Sequence, residues 1–405
     1  MLIISLLIIV GVYFLANLSL IIIWFRTPNY NSFLKENVIE TSKISVIVPV
    51  RNEAENILFL LQDLEKQTYP KHKFEVIIAD DDSTDDTLKI VQKFQKNSNI
   101  NLLINQLPPK TNNTSPKKRA IDSSIKLANG QLITTTDGDC RVGEKWLESI
   151  ANFQAQTGAY LVSCAVTFDN AAFERHSARF AQAQSSKPHS IILSIIHSII
   201  NNTQIIEFAS LVGSGACAMF IQKPNMCNGA NLTYLKSIFY EVNGFAGNEN
   251  LASGDDEFLM HKIAAKYPDK VKFLKDQHTI VETHAHASWR SFYNQRKRWA
   301  SKWKHYNNWQ TTALAVFVFM ANLVVPLTFV FWLFDFITTQ NLFSVLSLKF
   351  SAEFIFLSLV ISFLRKKSLI WLIPFVQIIY PLYVVFFGLV AQKQGEYVWK
   401  GRKLK

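Results

Sequence analysis

The sequence predicts an α/β domain on a mostly parallel sheet covered by helices, with transmembrane helices before and after it. Three observations predict this. Short β-branched apolar runs alternate with helix-period segments between residues 43 and 283. Uncharged apolar stretches occupy 2–25, 311–334 and 368–391, each long enough to cross a hydrocarbon core of ~30 Å. The chain of 405 residues is 49% hydrophobic and 18% charged, with net charge +11 and pI about 9.3. A basic chain with apolar ends points to a membrane surface before nucleic acid. The apolar content excludes a disordered chain, and Cys140, Cys164, Cys217 and Cys227 form no C-x-x-C, which argues against a disulfide framework or zinc ribbon.

Residues 1–25 read as an uncleaved anchor, because no basic residue precedes the run, no small-residue cleavage site ends it, and Arg26 follows at once. The N-terminus is then outside and Arg26 inside. Residues 311–391 read as two or three transmembrane helices. The middle one, 341–364, carries Lys349 and Glu353, and Pro374 and Pro381 interrupt the last. The 392–405 tail is basic and belongs in the cytosol by the positive-inside rule, whereas three C-terminal crossings would put it outside. Residues 189–221 are unusually apolar for a soluble domain, and either cover a channel or dip into the interface.

Within 43–283, ISVIVPV (44–50) predicts a first buried strand and 53–66 a helix. FEVIIA (74–79) predicts a second strand and 84–94 a helix. Residues 101–105 predict a weaker strand, 117–128 a helix, and QLITTT (131–136) a fourth strand. In such sheets ligands sit beyond the C-terminal strand ends. Here those ends read Arg51-Asn52-Glu53, then Asp80-Asp81-Asp82-Ser83-Thr84-Asp85-Asp86, then Asp137-Gly138-Asp139. Gathered carboxylates repel, so they imply a metal or a donor-rich ligand such as a base or ribose. Helix capping is the alternative for Asp85 and Asp86. A calcium loop starting at Asp80 fails at Asp85 and Val91, and no G-x-G-x-x-G follows the first strand.

These motifs resemble the membrane-integrated branch of the family 2 glycosyltransferases. VIVPVRNE is similar to that family's base-packing loop, and ADDDSTDDT to its "VDDGSTDGT" loop, with Asp82 where a small residue is usual. TTTDGDC resembles the D-x-D loop, Gly254-Asp255-Asp256 the E-D motif with Asp255 in place of Glu, and Gln295-Arg296-Lys297-Arg298-Trp299 is a complete Q-x-x-R-W. The resemblance spans about 43–310 and implies a GT-A-type fold in a cytosolic domain at 43–283, followed by an interfacial Q-x-x-R-W segment at 284–310.

It implies an inverting transferase that moves a sugar from a UDP-sugar or related donor to a lipid or glycan acceptor. Arg51, Glu53, Asp81, Lys117 and Asp137 would bind the nucleotide, and Asp139 would hold Mg²⁺ or Mn²⁺. Asp256 would be the general base and Asp255 its positioning partner, while Gln295, Arg298 and Trp299 complete the catalytic set. Gly229 and Asn231 would lie on the acceptor side.

Physical chemistry supports these roles. A departing nucleoside diphosphate needs a divalent cation and basic groups to neutralise it. Arg298 suits a phosphate by its planar fork. Asp256 opens a helix (255–267), where a carboxylate stays ionised. Lys117 is alternatively part of a solvated run with Lys118 and Arg119, Cys227 alternatively a buried thiol, and His284 and His286 read as structural. Trp289, Trp303 and Trp309 read as interfacial anchors on a basic amphipathic helix lying on the anionic leaflet. A processive polysaccharide synthase and a non-catalytic membrane transporter or scaffold are the competing readings. The expected location is the cell membrane, multi-pass, with no nucleic-acid partner.

Overall fold

The first strands form where the sequence is most continuously apolar. β1 (Ile44–Val50) and β2 (Phe74–Asp80) are buried along nearly their whole length, as strands covered on both faces must be. The computed structural model describes residues 2–30, 42–109, 115–168, 191–251, 253–286, 288–301, 309–390, 397–399 and 402–404. The chain divides into two compact units, Thr27–Asp169 with Ala218–His284 and Val398–Lys405, and Met1–Arg26 with Asn170–Cys217 and Ala285–Tyr397.

In the first unit β3 (Asn101–Gln106), β4 (Leu132–Thr135), β5 (Leu161–Cys164), β7 (Leu232–Leu235) and β8 (Val271–Leu274) complete a seven-stranded sheet. Its order is β3-β2-β1-β4-β7-β5-β8. β1 pairs in parallel with β2 and β4, in register Val50↔Asp80 and Ile47↔Thr135, and β2 pairs in parallel with β3. The loops after β1, β2 and β4 therefore leave one edge together. β7 is antiparallel to both β4 and β5, a reversal the sequence did not announce. β6 (Val166–Phe168) and β9 (Val281–Thr283) form a separate parallel pair.

The helices of this unit are α2 (Ile57–Glu65), α3 (Thr87–Asn97), α4 (Pro116–Leu127), α5 (Trp146–Thr157), α7 (Lys236–Glu241) and α8 (Glu257–Lys266). Ile47, Ile77 and Ile133 of the sheet bury against a core containing Ile121 and Ile125 of α4 and Phe239 and Met260. Each such side chain contributes about 1.5–3 kcal/mol on burial. α4 starts on Pro116, whose missing N–H costs nothing at a first turn. α2 and α3 start at Ile57 and Thr87, later than the expected 53 and 84. The intervening residues are held as loops by bonds to each other, described below.

The second unit contains α1 (Leu2–Arg26), α6 (Ile191–Phe220), α9 (Trp289–Ser301), α10 (Trp309–Leu333), α11 (Thr339–Phe363) and α12 (Ile373–Val390). Lys349 and Glu353 pair one turn apart at 2.9 Å and are buried. Tyr13 of α1 donates to Glu353 Oε1 at 3.0 Å, and Gln377 of α12 donates to its Oε2 at 3.3 Å. The two charges in α11 are thus paired inside the helix cluster. Ile4, Ile8, Leu15, Phe375, Ile378 and Leu382 remain exposed, an apolar surface suited to lipid.

Among the described residues five helices are long and apolar enough to cross a membrane, including Ile200–Phe220. Sheet pairing allows no odd number of crossings around that one. β4 precedes α6 and β7 follows it, yet they pair directly, Leu132↔Leu235 through Thr135↔Leu232. Both strands must lie on one side of any bilayer. Residues 302–308 of the expected amphipathic segment, with Trp303, lie outside the described residues, as do 391 and 392–396 of the tail. Beyond that gap, β10 (Tyr397–Trp399) pairs with β11 (Arg402–Leu404).

Candidate active site

The loop after β1 and the loop after β2 are bonded into one platform. Arg51 Nη1 donates to the carbonyls of Asp81 and Asp82 at 2.5 Å each. Asn52 N–H donates to Ser83 Oγ at 3.0 Å, and Thr84 N–H donates to Asn52 Oδ1 at 2.8 Å. Glu53 N–H donates to Thr87 Oγ1 at 2.8 Å, while the Glu53 carboxylate accepts from Asn56 at 2.9 Å. Asp85 accepts from Ala54 N–H at 3.1 Å and Thr87 N–H at 3.0 Å. Desolvation opposes the Asp85 charge, but the bonds from Thr87 and Ala54 win and hold its carboxyl below the usual range. Of the two acids weighed as caps, Asp85 bonds the helix start; Asp86 occupies the N-cap position without a side-chain cap bond.

Asp81 is 3% exposed and pairs with Arg119. Asp82 has φ of 62°, in the left-handed region, which explains why the family pattern usually has a small residue there. Arg119 was missed by sequence reasoning. Its signal was the run Lys117-Lys118-Arg119 opening a helix, where successive residues point about 100° apart. One stretch therefore supplies three directions.

The D-x-D loop sits against this platform. A Cβ on Gly138 would lie 2.9 Å from Val50 Cγ1 and 3.0 Å from Glu53 Cγ, so a side chain there would force these neighbours to shift. Just beyond it, Arg141 forks onto Asp63 with bonds of 2.5 and 2.8 Å, tying the loop to α2. Asp137 and Asp139 are both half-exposed. Burial, with Asp139 and Asp137 close by, pushes the Cys140 thiol well up, so it is inert.

Lys117 meets both acidic loops. Its Nζ lies 2.7 Å from Asp137 Oδ1 and 3.5 Å from Asp255 Oδ2. Burial opposes its charge, but Asp137, Asp255 and Asp256 outweigh burial and raise its pKa above the ordinary lysine value. Its side chain, 19% exposed, is therefore not part of a freely solvated charge run. Asp256 stands at the start of α8, accepting from Glu257 N–H at 2.7 Å through Oδ1 and from Gly229 N–H at 2.9 Å through Oδ2. Gly229 is pressed there: a Cβ would lie 2.9 Å from Asp255 Oδ2.

Asn231 is fully buried. It donates to Ala165 O and Thr279 O at 2.7 Å each and accepts from Trp146 Nε1 at 2.9 Å. Its amide therefore anchors the segment that carries Gly229. Cys227 is half-buried and packs against the core.

The structure thus brings together Arg51, Glu53, Asp81, Lys117, Asp137, Asp139, Gly229, Asp255 and Asp256 within one unit. Gln295, Arg298 and Trp299 belong to the other unit, on α9. There Arg296 is buried and paired with Glu207 of α6, its guanidinium 4.4 Å from the Trp299 ring. Tyr383 donates to Glu207 Oε1 at 2.7 Å. Burial, then the Arg296 and Arg298 charges, lowers the His286 pKa to about 4, so this ring is neutral near pH 7. His284 bonds Asn56 at 3.2 Å in the first unit.

Among the described residues no three His, Cys, Asp or Glu side chains converge as a metal cage. Asp137 and Asp139 suit a hard cation that takes one or two carboxylates and draws further ligands from substrate phosphates. The residues present fit that mode of binding.

Residues 45–228 match the family model described as glycosyl transferase family 2. This domain belongs to glycosyl transferase family 2. Glycosyltransferase AglE of Haloferax volcanii is 36% identical over 126 residues, which cover 31% of this chain and 40% of that protein. The poly(ribitol-phosphate) beta-N-acetylglucosaminyltransferase TarS of Staphylococcus aureus is 40% identical over 111 residues, covering 27% of this chain and 18% of that one. The matches thus span less than half of these relatives' own length. Among solved structures, the mannosyltransferase PcManGT of Pyrobaculum calidifontis, in complex with GDP-Man and Mn²⁺, is similar in fold. Its TM-score is 0.52 at 14% identity, covering 94% of this chain and 98% of that one.

Proposed function

We propose that this protein is a membrane-associated inverting glycosyltransferase that moves a sugar from a nucleoside-diphosphate sugar, with UDP as the nucleotide, to a lipid or glycan acceptor. The domain at 43–283 works on the cytosolic face, and α1, α10, α11 and α12 hold it to the membrane. The observation that carries this reading is the junction at Lys117, where the D-x-D loop and the Asp255-Asp256 loop come within 3.5 Å of one ammonium. Donor-side and acceptor-side acids belong side by side in a direct displacement.

Asp81, held by Arg119, faces the base, with Arg51 and Glu53 shaping the platform. Asp139 and Asp137 would hold Mg²⁺ or Mn²⁺, which neutralises charge on the departing diphosphate. The acceptor hydroxyl loses its proton to the Asp256 carboxylate as it attacks the anomeric carbon, and the bond from that carbon to the diphosphate oxygen breaks. Asp255 positions this carboxylate. Gln295, Arg298 and Trp299 are assigned to the diphosphate and acceptor on family resemblance. A divalent cation on this fold has a precedent in PcManGT, solved with GDP-Man and Mn²⁺.

The test is a donor screen by mass spectrometry on the purified full chain, with native membrane lipids as acceptors. Asp139→Ala is expected to abolish transfer and to weaken nucleoside-diphosphate binding in Mn²⁺ but not in EDTA. Equal binding by both proteins in Mn²⁺ would show that Asp139 holds no metal. Absence of transfer across the whole panel would return the chain to a non-enzymatic role.

A further inference from the structure

The three basic residues that open α4 are used in three ways. Arg119 pairs with Asp81. Lys118 is 2% exposed, donates to Asn248 O at 2.6 Å and lies 5.4 Å over the Phe258 ring, so it is fixed to the segment leading into the acidic pair. Lys117 faces two carboxylates from distant parts of the chain, and 19% of its side chain stays accessible, as does 37% of its partner Asp137.

Building on the metal-dependent reading above, we propose that Lys117 is a resident cation standing in for the divalent metal. Its ammonium neutralises Asp137 and ties it to Asp255 until a metal arriving with the donor diphosphate takes Asp137 over. Acids gathered at one sheet edge repel unless compensated. An ammonium on a flexible four-carbon stem is a compensating charge that moves away readily, unlike a bidentate guanidinium.

Two consequences follow from the geometry. The metal alone competes poorly, because it must displace a charge already bonded at 2.7 Å. The metal with its diphosphate competes well, because phosphate oxygens supply ligands the protein lacks. When Asp137 is taken, Lys117 keeps Asp255, so loading of the donor side reaches the acceptor-side acids through one side chain.

The test is Mn²⁺ binding to the detergent-solubilised full chain without nucleotide, read from the free Mn²⁺ signal by electron paramagnetic resonance. Lys117→Met is expected to bind Mn²⁺ roughly ten-fold tighter than wild type, the order expected from removing one like charge beside a half-exposed carboxylate. Lys117→Gln repeats the measurement should the Met variant fold poorly, and Lys117→Arg keeps the charge and should stay near wild type.

Lys126→Met removes the same charge from an exposed position on α4, where it pairs with Asp122, and should change nothing. Adding Asp137→Asn to Lys117→Met should erase the gain. No gain in either Lys117 variant, or an equal gain in Lys126→Met, overturns the proposal. Sugar transfer by the wild type is scored separately. Transfer without the Mn²⁺ gain leaves the enzyme reading standing and sinks the exchange; the gain without transfer does the reverse.

Discussion

Asp256 accepts two backbone N–H groups at once, one through each carboxylate oxygen. That double use sharpens what its replacement should do. If it is the base, Asp256→Asn removes proton acceptance, and kcat should fall by at least about 10²-fold while donor affinity stays within a few-fold. From sequence alone Asn looked like an equivalent cap. The structure adds a cost, because the Asn NH₂ must oppose either Gly229 N–H or Glu257 N–H, and a stability loss of about 1–2 kcal/mol is expected. Turnover and melting temperature must therefore be measured on the same preparation. Asp255→Asn should slow the chemical step less. Near-wild-type turnover in Asp256→Asn, or a rate loss fully accounted for by unfolding, would return Asp256 to a purely structural cap. At this scale the acids of the candidate site were legible as a cluster, since Asp81, Asp137, Asp139, Asp255 and Asp256 announce themselves by charge at strand and helix ends. Asn231 was expected on the acceptor side, and its buried anchoring role was not legible, because an amide bonded to distant carbonyls looks in sequence like any loop asparagine.

The elements show the same division between what local pattern reveals and what pairing decides. β1, β2 and β4 were readable because burial on both faces demands an unbroken apolar run. The late starts of α2 and α3 were not, since residues 53–56 and 84–86 bond across two loops rather than continue their helices. β7 was missed because four residues carry no periodic signal, and its antiparallel direction comes from long-range pairing. α11 looked weak as a membrane helix because of Lys349 and Glu353, and their spacing of four residues is what places them on one face. That pair makes a prediction at the helix level. Glu353→Ala strands a buried ammonium and should destabilise the detergent-solubilised protein by about 3–5 kcal/mol. The double change Lys349→Met with Glu353→Leu removes both charges and should recover most of that loss, because an apolar pair of similar volume is often neutral or better. Thermal unfolding followed by size-exclusion chromatography would decide it, and a double variant no better than Glu353→Ala would show that the ion pair itself is indispensable.

For the whole molecule, sidedness is constrained by the sheet. Because β4 and β7 pair directly although α6 lies between them in sequence, the two strands must lie on one side of any bilayer. The other candidate crossings, by length and apolar composition, are α1, α10, α11 and α12. On the orientation expected from sequence, with the N-terminus outside, α1 would bring the sheet-bearing unit inside, and three further crossings would carry the chain out again, against the pull of a basic tail. Sequence composition exposes that conflict. The attachment itself is testable without resolving it. α1 is integrated with the other helices of its unit: Leu6 and Val10 bury with Val324 and Val345, Tyr13 bonds Glu353, and Trp24 packs edge-on against Phe356 and Phe363. A lone tether would leave stability unchanged when removed. Deleting residues 1–25 should leave the protein in the membrane pellet after carbonate extraction, held by α10 to α12, but with a melting temperature lower by several degrees, because Glu353 loses the Tyr13 hydroxyl and apolar faces of α10 and α11 lose their cover. Unchanged stability would make α1 a simple anchor. Recovery of the truncated protein in the soluble fraction would contradict membrane attachment through 311–391, since no apolar surface on those helices would then need lipid.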